Sequence, residues 1–377
     1  MGVLQDIVIW ILAVFMVIGT LDKVFGNKYG YGGAFDRGFA AMGPVAVVIV
    51  GMISLAPVLA DILRPVIAPV YQWLGADPAM FATTILALDM GGWALAGELA
   101  ETEESARFAG ILLGSMLGAT LTFTVPIALS ILKKEDHALF AKGMLAGITT
   151  IPVGMLAGGA VAGFSMQQML GNLVPIFIVS GLILLGLWWK MEAMVQGFRI
   201  FGRLVTVVTT LATAVVVLQA LTGWTIIDGM APSREGILTV GTLAFTLAGA
   251  FPLVHFFQQR IAGKDHGSRF FMNPTAWSGW CASLAHIIPM FTLSKEMDDD
   301  GKLMNYAFAV SGAFLLGGHL GYTAAVNEAM IVPLLAGKLA GGISAMGVAY
   351  GIILKSKTSI SDNTPEWYDK KEYQHKG

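Results

Sequence analysis

A chain of 377 residues in which 55% are hydrophobic and only 13% charged, with a mean hydropathy of +0.70, is not an ordinary soluble domain, where about 25% of residues carry charge. Lys and Arg number 23 against 25 Asp and Glu, a net charge of -2, so there is no basic surface for nucleic acid. The 46 glycines and 20 methionines suit packed membrane helices instead. The single Cys281 excludes a disulfide framework or a cysteine metal cluster within the chain.

A bilayer core needs about 20 mainly apolar residues per helix, and cutting the chain at its polar loops gives eleven candidate segments. They lie near residues 5–22, 40–62, 78–98, 108–132, 140–163, 170–190, 203–222, 237–257, 274–294, 304–326 and 329–354. The first, within MGVLQDIVIWILAVF, lacks a basic leader and a small-residue cleavage site and is expected to stay as a membrane segment. The stretch from Lys355 to Gly377 has no apolar run and reads as a solvated cytoplasmic tail.

Short cytoplasmic loops collect Lys and Arg, which tests how many segments cross. If all eleven cross, the two faces hold 12 and 10 basic residues, with Lys338 set aside inside the last segment. If the third and ninth are re-entrant hairpins, the split becomes 19 inside and 3 outside. The second arrangement puts the N-terminus outside and the C-terminus inside. Both segments also carry breaks at their middles, Asp89 with Gly91 and Gly92 in one, His286 with Pro289 in the other. Irregular backbone at membrane depth is tolerated only inside protein or along a cavity. Two kinked but complete spans are the plainer alternative.

The two segments occupy matching places in the chain. Asp77-Pro78 and Asn273-Pro274 open them, Ser115 and Ser311 follow at the same offset, and an acidic loop comes after each. The fold expected is an all-α polytopic membrane protein in two inverted repeats, each with a re-entrant hairpin and a broken helix. Residues 1–192 form the first repeat with a linking helix, 193–354 the second, and 355–377 the tail. The breaks after the hairpins are expected at GSMLG from Gly114 and at SGAFLLGGHLG from Ser311. Transporters place substrate at such midplane breaks.

Ionisable groups at membrane depth are functional candidates. Asp89 is the only acid near the centre of any segment; it could neutralise a cationic substrate, bind a coupling proton, or form a structural ion pair. Trp93, one turn on, offers a cation-π face or plain packing. His286 and His319 could bond a substrate hydroxyl, carry a proton, or be satisfied core histidines. Ser115 and Ser311 could bind substrate or cap broken helices. Lys338 sits about 15 Å along the last segment, too deep to snorkel easily. It needs a buried partner, either carbonyls of a broken helix or Asp89. There is no HExxH motif, no Gly-x-Ser-x-Gly elbow, no phosphate-binding Gly-rich loop and no metal-ligand spacing; no enzyme activity, metal or cofactor is expected.

The stretches GFAAMGPVAVVIVGMISLAPVLA from Gly38, GADPAMFATTILALDMGG from Gly75, GILLGSMLG from Gly110, LAGITTIPVG from Leu145 and YAFAVSGAFLLGGHLGY from Tyr306 resemble the ethanolamine permease family, the EutH proteins. The resemblance runs from about residue 5 to 354. It implies a multi-pass protein of the bacterial inner membrane that imports ethanolamine, a small cation with one hydroxyl. One departure is Gly318, where the resemblance implies an acidic residue just before His319. A channel-like facilitator for another small amine and a non-transport scaffold are the alternatives, and a homodimer is left open.

Overall fold

Apolar runs without water nearby must satisfy their own backbone, and the chain does so entirely with helices. The computed structural model describes residues 2–262 and 272–362, among which there is no strand. In chain order the helices are α1 (Gly2–Val24), α2 (Tyr31–Ala40), α3 (Met42–Trp73), α4 (Ala79–Ile85), α5 (Gly92–Leu99) and α6 (Glu103–Arg107). π-helical turns over Phe108–Gly118 and Thr120–Thr124 then lead into α7 (Val125–Ile131). There follow α8 (His137–Thr149), α9 (Ile151–Ala162), α10 (Met166–Trp189), α11 (Met191–Thr222) and α12 (Ser233–Ala262). The last five are α13 (Pro274–Ala285), α14 (Ile287–Leu293), α15 (Asp299–Gly312), α16 (Gly318–Val326) and α17 (Ile331–Asp362).

Eight helical runs among the described residues are long and apolar enough to cross a membrane. They correspond to eight of the eleven segments in the sequence. The other three, 78–98, 274–294 and 304–326, are each divided into helices too short to count. The division has local causes. Leu86 and Ala87 are extended and Gly91 adopts φ +94, which separates α4 from α5. His286 is extended between α13 and α14. Phe314, at φ +61, lies in the turn between α15 and α16.

In the first two of these segments the short helices pack side by side and their outer ends are joined. The Glu101 backbone N–H donates to Asp77 Oδ2 at 3.1 Å, and Asp77 Oδ1 accepts from Ala79 N–H. In the second, Asn273 N–H donates to Asp298 Oδ1 at 3.3 Å and its side-chain amide to the Glu296 carbonyl at 3.1 Å. The glycines and serine of Gly114–Gly118 predict a break; here the chain stays helical and is instead wound more widely, as a π-helix. A longer run than expected also appears at the C-terminus, where α17 continues to Asp362. Residues 363–377 of the expected tail lie outside the described residues.

The main core joins the first segment pair, the π-helical run, α8, α9, α15 and α17. A second cluster gathers Leu12, Leu243, Leu247, Leu320 and Tyr322 about Leu88. Helices approach closely where side chains are absent: a Cβ on Gly118 would run into the Leu86 carbonyl, and one on Gly317 into the Ala285 carbonyl. Gly118→Ala and Gly317→Ala should therefore each lower the unfolding midpoint in detergent. Gly97→Ala on α5, which has open space around it, should instead be neutral or raise stability by about 0.5–1 kcal/mol. Equal midpoints for all three would show that the close approach is relieved without cost.

Candidate functional site

Lys338 on α17 has 0% exposure, so its ammonium must find partners inside the protein. Its Nζ donates to the Ser115 carbonyl at 2.8 Å and lies 3.1 Å from His319 Nδ1. With the amine charged it donates there, and Nδ1 accepts with the ring's own proton on Nε2. Ser115 comes from the π-helical run and His319 from the first turn of α16. Of the two partners open to Lys338 in the sequence, helix carbonyl and acid, the carbonyl is the one in contact.

Asp89 occupies the single 3-10 turn, Leu88–Met90, between α4 and α5. Gly91 supplies the left-handed backbone that turns the chain there. Gly92 supplies clearance, since a Cβ on it would lie 2.6 Å from the Ala87 carbonyl oxygen. The half-buried Asp89 carboxylate faces the start of α16: a Cβ on Gly318 would stand 3.9 Å from Oδ2. It interacts electrostatically with Lys338 and with Tyr322. Among the described residues it makes no ion pair within 4.0 Å.

The remaining candidates divide. Ser311, also with no exposure, has no hydrogen-bond partner for its Oγ among the described residues and packs against Gly341, one turn beyond Lys338 on α17. Ser115 uses its hydroxyl within its own helix, donating to the Leu112 carbonyl at 3.0 Å. His286 accepts from the Ile288 N–H at 3.3 Å and so caps α14. Its ring meets Phe123 and Phe314 edge-on at 5.8 and 5.2 Å. Phe314 in turn lies 4.8 Å from the His319 ring, so the two histidines are separated by an aromatic wall. Trp93 lies over Gly110 of the π-helical run, in the packing position rather than on its own in a cavity.

Tyr322 and Phe314 are not among the residues singled out from the sequence. Tyr322 stands three residues after His319, one helical neighbour on the same face, and that spacing could have found it. Nothing in the sequence around Phe314 signals a positive φ in a bulky residue. Two clefts lie elsewhere. One, polar, is lined by Gln72, Asp77, Glu101, Ser105 and Asn172; the other, largely apolar, runs between α1, α12 and α16 with Glu328 at its edge. Among the described residues no group of three or more His, Cys, Asp or Glu could hold a metal.

The family model described as "Ethanolamine utilisation protein, EutH" matches residues 4–352, nearly the whole chain. The chain belongs to the EutH family. A EutH relative from Listeria monocytogenes, named "Probable ethanolamine permease EutH", is 51% identical over 373 residues, covering 96% of this chain and 99% of its own. The Escherichia coli K12 protein of the same name is 41% identical, covering 97% and 99%. A Bacillus subtilis relative, "Uncharacterized protein YxeR", is 45% identical over 92% and 94%. No solved structure matches the chain.

Within this EutH chain the Lys338–His319 contact should be measurable. His319→Ala leaves the amine with one carbonyl and should destabilise the protein by about 1–3 kcal/mol, read as a lower thermal midpoint in detergent. His319→Gln keeps an acceptor and should recover part of the loss. An unchanged midpoint for His319→Ala would mean that Ser115 alone holds Lys338.

Proposed function

We propose that the chain is an ethanolamine permease, a transporter rather than an enzyme, that carries ethanolamine across the bacterial inner membrane into the cytoplasm by facilitated diffusion or secondary transport. The observation that carries this reading is the Asp89 carboxylate, held without an ion pair among the described residues at the junction of two divided segments, beside a cluster of buried polar groups. Membership of EutH and relatives named as probable ethanolamine permeases give the substrate. An ammonium is small, needs one counter-charge and three acceptors, and desolvates at a cost that only a paired geometry recovers.

In this reading Asp89 holds the ammonium. Ser311 Oγ and His319 serve the hydroxyl, and Gly91 and Gly92 give the turn that presents Asp89. Trp93 and His286 shape the walls, and the Ser115 carbonyl anchors Lys338 as a structural or gating cation. No cofactor takes part. Division into repeats at 1–192 and 193–354, inverted with respect to one another, is supported by the paired ties at Asp77–Glu101 and Asn273–Asp298. The same ties favour hairpins that enter and leave by one face, and the 19 to 3 split of Lys and Arg favours the N-terminus outside, the C-terminus inside and residues 355–377 as a cytoplasmic tail.

Purified protein in liposomes should take up labelled ethanolamine. Asp89→Asn should weaken ethanolamine binding about 10- to 100-fold by calorimetry in detergent, the range set by loss of one charged hydrogen bond, while the protein stays monodisperse. Binding as tight as wild type would remove Asp89 from the site. Topology has its own test. Single cysteines at the exposed Trp73 and Glu103, in a Cys281→Ala background, should react with an impermeant reagent from the same, external face; reaction from opposite faces would make residues 77–101 a crossing span.

A further inference from the structure

Lys338 and Asp89 set a problem of charge that the proposed substrate sharpens. The amine is fully enclosed, and its nearest polar groups are the Ser115 carbonyl and His319 Nδ1, at 2.8 and 3.1 Å. The turn that carries Asp89 packs on α16, the helix of Tyr322, and Asp89 Oδ2 lies 3.9 Å from where a Cβ on Gly318 would stand, one residue before the His319 that touches Nζ. Beyond Phe314 stands His286, which acts electrostatically on His319. The helices α8, α9 and α15 pack on α17 but bring no acid within 4.0 Å of Nζ among the described residues. The site therefore has one acid and one amine, and a substrate ammonium adds a second cation.

Two cations beside one carboxylate in a desolvated site repel strongly. At rest the acid and amine hold a single proton between them, whether as carboxylate and ammonium or as acid and free amine, and the pair is neutral either way. With an ammonium on the carboxylate, neutrality returns only when that proton has gone. We propose that the Asp89–Lys338 pair exchanges one proton for each substrate cation it binds, with Lys338 as the group that must stand uncharged while the substrate is held. No bond is made or broken other than to hydrogen: the proton leaves the pair for solvent, His319 Nδ1 being the acceptor already in contact with Nζ, and the substrate ammonium takes its place as the site's one positive charge. The inference rests on Asp89 as the ammonium partner.

The test is ethanolamine binding to the full-length protein in detergent, measured by calorimetry in buffers of different ionisation enthalpy, at a pH where the free amine is protonated. Wild type should release about one proton per ethanolamine bound, and its affinity should rise about tenfold per pH unit. Lys338→Arg keeps a cation that cannot give up its proton, so it should bind ethanolamine at least 100-fold more weakly. Binding by wild type with no buffer dependence overturns the exchange and leaves the transport reading intact; an Arg variant that binds as tightly as wild type also overturns it. Absence of any binding by wild type removes both. If the Arg variant does not fold, the wild-type proton count and pH slope decide alone.

Discussion

Hydrocarbon offers no partner to a bare N–H or C=O, so every residue that leaves a helix at membrane depth must be answered by another part of the chain. The turn between α15 and α16 is answered by the end of α13: Phe314 N–H donates to the Ser283 carbonyl and Leu316 N–H to the Leu284 carbonyl, both at 2.8 Å. The turn after α4 is answered by the π-helical run, where Thr122 Oγ1 accepts from Ala87 N–H at 3.2 Å and donates to the Gly118 carbonyl at 2.7 Å. Thr83 Oγ1 adds a bond to the Ala109 carbonyl. The turn in 78–98 is thus locked to the helix that follows it, and the end of α13 to the turn between α15 and α16, which leaves Asp89 and His319 beside short helix ends.

The same constraint explains the small residues. A hydrogen bond between two helices' backbones or a carbonyl over a helix needs close approach, and Gly118 and Gly317 lie where the Leu86 and Ala285 carbonyls pass. Residues 1–192 and 193–354 pack extensively on one another, α17 on α9, α15 on α8 and α12 on α2, and side-chain bonds join them as well. Lys302 of α15 meets Asp136 at the head of α8 at 2.8 Å, both nearly enclosed, and Thr120 Oγ1 donates to the Val310 carbonyl. Thr150 Oγ1 reaches the Gly341 carbonyl of α17. The Thr150–Gly341 and Lys338–Ser115 contacts tie α17 to residues 1–192, and the other two tie α15 to them.

Much of this was legible in the sequence because its signals are strong and local. Eight uninterrupted apolar runs announce themselves by length, and the three that do not cross as single helices were marked by Asp89 with Gly91-Gly92, by His286 with Pro289, and by the glycines after Ser311. Lys338 was legible by depth. The finer placement was not, because it depends on pairing across long separations: nothing local to Lys338 says that its partner is a carbonyl 223 residues away. Glycine and serine signal loosening without saying which kind, so the sequence predicts a break at Gly114–Gly118 where the helix only widens. Phe314 carries no signal because a bulky residue reaches a positive φ only when its surroundings force it.

The order in which the locks appear along the chain has a bearing on biosynthesis. Ala87 is followed by its partner Thr122 after 35 residues, and Ser283 meets Phe314 after a stretch of similar length. A nascent segment that is too short to lodge in the bilayer alone is therefore followed, within one further helix, by the surface that receives it. The segments at 78–98 and 274–294 therefore have their open turns covered soon after they emerge, whereas α2, α3, α8 and α9 must wait for α12, α15 and α17 to pack on them, and the Lys338 contact, made by the last helix, closes the assembly.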